Sequence, residues 1–400
     1  MKNGWSTKML ADACEVFADG DWVESKDQSP GGIRLIQTGN VGEGVFKDRC
    51  EKARYISEPT FKRLRCTEIF KGDCLISRLP DPVGRSSILP DTGERMITAV
   101  DCTIVRFDPK QLIPEFFKYF SQSLDYLKAV EAETTGTTRK RISRRKLGQV
   151  AIPVPPLPEQ QRIVGILDEA FDGIATAKAN AKKNLQNARA LFESHLQSVF
   201  TQRGKGWVEK RLEEIGKTQT GSTPKTSDQT NYGDFISFVK PADFNADGSL
   251  DYEKDGLSKK GLTSARIVSA GSVLMVCIGA TIGKCGYCDH NVTTNQQINA
   301  LTPTDGSSHR FLYYQMLTEG FQRSVIYRSG QATLPIINKS KWSALPVWLP
   351  PTVAEQKRIA KKFDTLVEET QRLANVYERK LAALDALKKS LLHQAFSGGL

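Results

Sequence analysis

The chain has 400 residues, 39% of them hydrophobic and 25% charged, with a formal charge of +11 and an isoelectric point near 9.2. No window approaches the roughly 18 uninterrupted apolar residues of a membrane-spanning helix, so no such helix is expected; the length suggests two or three domains. The positive excess favours a polyanionic partner, although net charge bears on association and not on fold.

The start, "MKNGWSTKML", is too polar for a secretory signal, so a cytoplasmic location is expected. The eight cysteines, at 14, 50, 66, 74, 102, 277, 285 and 288, are irregularly spaced and read as reduced thiols. A first globular segment runs from about 5 to 150. Its apolar runs "GIRLIQTGNV" and "DCTIVRF", broken by Gly, Pro and Asp, read as strands with loops, and 114–130 reads as helical. Near its end "RKRISRRK" gathers six cations in eight residues: Arg139, Lys140, Arg141, Arg144, Arg145 and Lys146.

The Pro-rich entry "PPLPEQQRI" follows. Pro155, Pro156 and Pro158 make a stiff, extended approach, and Pro158 suits the first helical turn, where a missing N–H costs nothing. Glu159 then lies at the positive end of a helix dipole. From Ile163, apolar or small residues recur at 167, 171, 174, 181, 185, 188, 192 and 199, a heptad alternation interrupted by Lys178 and His195. Such a helix of some 38 residues would extend about 57 Å. Its narrow apolar stripe requires a partner.

The order then repeats. Gly206-Trp207 echoes Gly4-Trp5, each followed five residues later by a leucine, Leu212 and Leu10. "SAGSVLMV" matches "FKGDCLIS", and Ile282-Gly283-Lys284 matches Val83-Gly84-Arg85 at the same offset of 199. "DFISFV" and "SVLMVCIGATI" read as strands, and 309–325 as helical. At 350 a second Pro-Pro entry leads to Glu355-Gln356-x-Arg358-Ile359, offset by 196 from the first. Its stripe runs through 359, 363, 366, 373, 377, 381, 384, 387 and 391, interrupted by Thr370 and with a phase slip between Tyr377 and Leu381. The repeat implies four parts: globular segments at 1–152 and 204–347, and helices at 153–203 and 348–400. Ile163, Leu167, Leu185 and Phe192 are expected to form a helix interface with Ile359, Phe363, Leu384 and Leu391.

Catalytic signatures are weak. "GATIGKC" has three residues between its glycines where a phosphate loop has four, and Cys285 stands where Ser or Thr would ligate magnesium. A strand and a tight turn at Gly283 fit better. Cys285, Cys288, His290 and Cys277 could supply four zinc ligands, but no second CxxC knuckle exists, and a strand with small buried thiols is preferred. No methyltransferase or nuclease motif is evident, and two of the four histidines lie in the long helices. No catalysis, metal or cofactor is expected of this chain.

Binding features are stronger. The basic run is assigned to phosphate contact. The corresponding second segment has only Lys339 and Lys341, so further charge is sought at Lys217, Lys225, Lys240 and Arg328. Arg85 and Lys284, at matched positions, suit a shared backbone contact. Arg78, Asn40, Gln296 and Gln297 are candidate base readers by residue type and by loop position, since Arg pairs with guanine and Asn or Gln with adenine.

The doubled Pro-Pro entry with Glu-Gln-x-Arg-Ile, the run Asn295-Gln296-Gln297-Ile298-Asn299 after "GATIGKCGY", and the closing "LKKSLLHQAFSGGL" resemble the specificity subunits of type I restriction–modification enzymes. The resemblance spans the chain in order, although the first half has "ITAVDCTIVRF" where the amide run would stand. It implies an α+β fold of two similar mixed α/β target-recognition domains separated by two long helices paired as an antiparallel coiled coil. It also implies double-stranded DNA as ligand, each domain reading half of a split, asymmetric site. The implied partners are two modification subunits carrying S-adenosylmethionine and restriction subunits using ATP and Mg.

Overall fold

In the computed structural model, residues 4–136, 140–330 and 334–400 are described. Each Gly-Trp echo opens a strand that is zipped to the far end of its own segment. Ser6–Met9 pairs antiparallel with Ala151–Val154, and Val208–Arg211 pairs antiparallel with Pro346–Leu349. The prolines at 155, 156, 350 and 351 then end each ribbon, because they have no N–H to continue a ladder. A short helical turn follows each first strand, Leu10–Ala13 and Leu212–Ile215, and buries the two echoed leucines completely.

Both globular segments build the same pair of sheets. In the first, one sheet has the order Cys14–Asp19, Cys102–Phe107, Cys74–Ser77, Ser86–Ile88. In the second the order is Gly216–Thr220, Ile298–Pro303, Ser272–Val276, Cys285–Cys288. The companion sheets each contain one parallel pair, Ile33–Ile36 beside Met96–Thr98 and Tyr232–Val239 beside Val292–Thr294. The strands Cys74–Ser77 and Ser272–Val276 are buried at every residue, which is why they read as continuous apolar runs without alternation. Cys74 and Ile76 pack with the helices on one face, while Leu75 packs with the companion sheet on the other. Val273 and Met275 divide from Leu274 and Val276 in the same way.

The stretches 114–130 and 309–325 each resolve into two helices. Pro114–Phe120 is followed by Leu124–Ala132, and His309–Met316 by Glu319–Ser329. Each break occurs where a hydroxyl caps the second helix: Ser123 Oγ accepts from Tyr126 N, and Thr318 Oγ1 accepts from Phe321 N.

Two long helices follow the ribbons, Leu157–Gln202 and Val353–Ser397. The chain divides into two compact units within these helices: Met1–Ala181 with Arg379–Leu400, and Lys182–Glu378. Each unit therefore contains a stretch of both helices, running antiparallel. In the first, Arg162 meets the Leu400 carbonyl and Lys178 meets Asp385. In the second, the rings of His195 and Phe363 lie 5.5 Å apart.

This exchange completes each core. Trp5, Phe116 and Phe396 form an edge-to-face series in the first unit, and Trp207, Phe311 and Phe200 occupy the same places in the second. The third ring of each series comes from the end of the other half's helix.

The seam corrects the expected stripe. In the second helix, positions 363, 367, 370, 374, 377, 381, 384, 388, 391 and 395 are all buried or half-buried, an alternation of four and three with no phase slip. Leu373 and Leu387, assigned to the stripe by hydrophobicity, are instead 39% and 47% exposed. The small Ala374 and the long stem of Lys388, its ammonium over the Phe171 ring, take those places. In the first helix His195 is exposed and Leu196 is buried beside it, while Lys178 finds Asp385 across the seam. Ile163, Leu167, Ile359 and Phe363 are buried, whereas Leu185, Phe192, Leu384 and Leu391 are half-buried.

Candidate nucleic-acid interface

Three loops in each globular segment lie at the ends of these sheets, and the two copies build them alike. The first is a short turn, Thr38–Asn40 in one copy and Pro241–Asp243 in the other. Asn40 Oδ1 accepts from Gln37 N at 2.9 Å, and Asp243 Oδ2 accepts from Lys240 N at 2.7 Å. Asn40 also donates to the Lys47 carbonyl and is buried, so its amide is committed to the loop.

The second loop carries the matched glycines Gly84 and Gly283. Their φ values of 86° and 90° lie in the left-handed region, where glycine is favoured. The cation after each glycine reaches the first loop. Arg85 is buried and donates to the carbonyls of Thr38, Val41, Leu79 and Pro82 at 2.6–3.0 Å. Lys284 Nζ donates to Pro241 O at 3.3 Å, the position equivalent to Thr38. Both cations thus brace their own loops.

The third loop is Ala99–Asp101 in one copy and Asn295–Gln297 in the other. Arg78 N donates to Asp101 O, and its structural counterpart Cys277 N donates to Gln297 O. Gly20 and Gly221 run against these loops so closely that an added Cβ would lie 2.3 Å from Ala99 O or 2.2 Å from Asn295 O. The Arg78 side chain is buried, bonded to the Val100 carbonyl and 3.1 Å from Asp19. Gln296 is exposed and accepts from the Thr223 hydroxyl, while half-buried Gln297 exchanges bonds with Asn295. Of the four candidate readers, Gln296 alone presents an exposed amide.

Arg139 lies outside the described residues. Among the other cations of the basic run, Lys140 pairs with Glu131 at 2.6 Å, Arg141 with Asp101 at 2.8 Å, Arg144 with Asp19 at 3.1 Å and Lys146 with Glu133 at 3.2 Å. Arg145, exposed, has no carboxylate partner among the described residues. A run that reads as strongly positive is therefore largely matched by acids, two of them, Asp19 and Asp101, distant in sequence. In the second copy Lys240 pairs with Asp255 at 2.8 Å, while Lys217, Lys225, Lys339 and Lys341 are exposed and Arg328 is half-buried.

The thiols behave as small core groups. Cys285–Cys288 is a fully buried strand; Cys277, Cys285 and Cys288 turn toward the separate carbonyls of Met275, Gly283 and Ser269. Burial pushes the Cys288 thiol up to about 11. His290 instead stacks edge-on against Tyr252.

The Glu-Gln-x-Arg-Ile entry does more than its charge pattern signals. Gln160 is completely buried: it accepts from Ile113 N at 2.8 Å and donates to Gln111 O and Pro155 O, both at 2.8 Å. Gln356 accepts from Ser308 N at 2.8 Å, the equivalent helix cap. Arg162 and Arg358 pair with Glu159 and Glu355 one turn earlier, and the isoleucines enter the cores. Asp168 and Asp364 accept from the Tyr119 and Tyr314 hydroxyls. Burial, then the Asp364 carboxylate, raise the Tyr314 phenol far above its ordinary range, so it remains a donor. Sequence reading missed these bolts. Their signal was the consistent 195–196 offset of glutamine, aspartate and tyrosine.

Comparison with known proteins agrees with this architecture. The family model for the type I restriction modification DNA specificity domain matches residues 2–187 and again 204–379. The chain is 30% identical to the HindI specificity subunit of Haemophilus influenzae, covering 92% of this chain and 94% of that one. It is 20% identical to the putative MjaX specificity subunit of Methanocaldococcus jannaschii, covering 98% and 93%. Its fold is similar to a chain from a structural study of complex assembly in a type I restriction–modification system, with a TM-score of 0.79 at 19% identity over 100% and 99% of the chains. The HsdS subunit of Thermoanaerobacter tengcongensis follows at 0.63, with 18% identity and coverage of 100% and 98%. Two copies of one fold, each completed by the other's helix and each matched by the same family model, identify the chain as a member of the type I restriction–modification specificity subunits.

Proposed function

We propose that this chain reads a split DNA site, one half per globular domain, and catalyses nothing itself. One observation carries the reading: the two copies hold the same three loops with the same braces but present different residues on them. Gln37-Thr38-Gly39-Asn40 stands where Lys240-Pro241-Ala242-Asp243 stands, and Ala99-Val100-Asp101 where Asn295-Gln296-Gln297 stands. A shared frame with exchanged loop residues suits two half-sites of unlike sequence, because base edges are read by side-chain type. Arg85, Lys284, Arg78 and Asn40 position the loops, while exposed cations such as Arg145, Lys217, Lys225 and Lys339 contact phosphate. Two modification subunits supply S-adenosylmethionine chemistry, restriction subunits supply ATP- and Mg-dependent steps, and the complex works in the cytoplasm.

The test is to co-express the chain with its modification subunit, expose the complex to a random-sequence DNA library, and map methylated adenines. A split motif with unlike halves is expected. A continuous or palindromic motif, or a pool without methylation, contradicts the reading.

A further inference from the structure

Lys146 and Lys341 hold the same place in the two domains, three residues after the caps Ser143 and Asn338. Each donates to the carbonyl ending the preceding helix: Lys146 Nζ to Glu133 O at 3.3 Å, Lys341 Nζ to Arg328 O at 3.4 Å. The residue supplying that carbonyl differs in charge. In the first domain it is Glu133, whose carboxylate also pairs with Lys146. In the second it is Arg328, a cation that lines the same groove as Lys341, and neither has a carboxylate partner among the described residues.

Arg323 extends this cluster along the helix Glu319–Ser329; among the described residues it pairs only with Glu319, at 3.6 Å, with both side chains more than 60% exposed. Between the cations lies a groove lined by Ile326, Tyr327 and Pro335. Tyr327 is 88% exposed, more than any other large hydrophobic side chain described, and Ile326 is 52% exposed.

We propose that this groove is a further surface by which the second domain holds double-stranded DNA, with Arg323, Arg328 and Lys341 on phosphates and the Tyr327 ring against the sugar edge. The assignment rests on the DNA reading proposed above and locates it. Charge favours nucleic acid over protein here: three cations face one loosely held carboxylate, which fits a polyanion. The first domain has more cations at this place, yet four are matched by acids. Exchanging an internal carboxylate for a phosphate gains little, so the second domain's three cations contribute more to binding than the first domain's run.

The test uses the full-length chain and a fluorescent random-sequence duplex of about 40 base pairs, titrated over a range of salt. Replacing Arg323, Arg328 and Lys341 together by Gln is expected to flatten the log–log salt dependence by roughly 0.9 for each phosphate that is no longer neutralised. Replacing Lys140, Arg141 and Lys146 by Gln should flatten it less. Tyr327→Ala should weaken binding with the slope unchanged, because the ring neutralises no phosphate. These side chains are at the surface, so a thermal midpoint equal to wild type verifies folding.

A larger slope change in the first-domain variant overturns the assignment, as does wild-type binding by both second-domain variants. Normal DNA binding with loss of association with the modification subunit shows a protein interface, which also overturns it. A wild-type chain that binds no duplex contradicts the DNA reading itself, and so separates that failure from this one.

Discussion

Replacing Gln160 by Met tests whether the buried glutamines fasten helix to domain. Methionine nearly matches glutamine in length and volume, so the cavity cost is small. What disappears is the set of three bonds, to Ile113 N, Gln111 O and Pro155 O, at a site with no solvent exposure. A buried donor or acceptor left without its partner costs about 1–3 kcal/mol, and transferring a thioether in place of an amide offsets part of that. A net loss of about 3 kcal/mol is expected. In a unit of about 200 residues, at 2–4 °C per kcal/mol, this lowers the midpoint by about 6–12 °C. Calorimetry reads the midpoint, and hydrogen exchange with mass spectrometry locates the loss. Peptides covering 111–120 and 157–165 should lose protection, while those around Ser308 and Gln356 serve as an internal control. A midpoint within about 1 °C of wild type, with protection retained, refutes the reasoning.

Arg85→Lys should be milder than Arg85→Met by at least about 1 kcal/mol in chemical denaturation, because Lys284 already braces the equivalent loop with one donor. Equal losses would show that the Arg85 bonds contribute little. Leu167→Glu, in the core, should lower stability by about 4 kcal/mol or more, whereas Leu387→Glu, 47% exposed, should change it by no more than about 0.5 kcal/mol. Asp21 is raised to about 6 by burial, against opposing bonds from Thr67 and Cys66. A raised carboxyl favours the folded state when protonated, so its contribution should fall as pH rises from 4 through 6; Asp21→Asn should therefore gain stability relative to wild type across that window. A difference independent of pH would remove Asp21 as the cause. The fragment 1–200 should dimerise, since Leu196 and Phe200 can take the places of Leu392 and Phe396 in a second copy; a folded monomer in sedimentation would contradict this.

The duplication was legible because a doubled helix entry and echoed Gly-Trp-to-leucine spacing survive in the sequence. The heptad was legible in period but not in detail. Hydrophobicity selected Leu373 and Leu387, yet the seam uses Ala374 and Lys388, because close helix approach favours a small residue and a lysine stem can lie along apolar surface. The candidate site was less legible. Arg78 and Asn40 have the chemistry to read bases, and Arg85 the charge to meet a phosphate, but burial commits them to carbonyls and loop amides that composition does not reveal. The pairing of the basic run was equally hidden, since its acidic partners Asp19 and Asp101 lie far away in sequence.

The central claim, that this chain directs a type I complex to a split DNA site, is most directly measured by mapping adenine methylation across the source genome with the gene intact and deleted. One bipartite motif with unlike halves should lose methylation completely, and every other motif should keep it. Methylation unchanged at every motif would contradict the account.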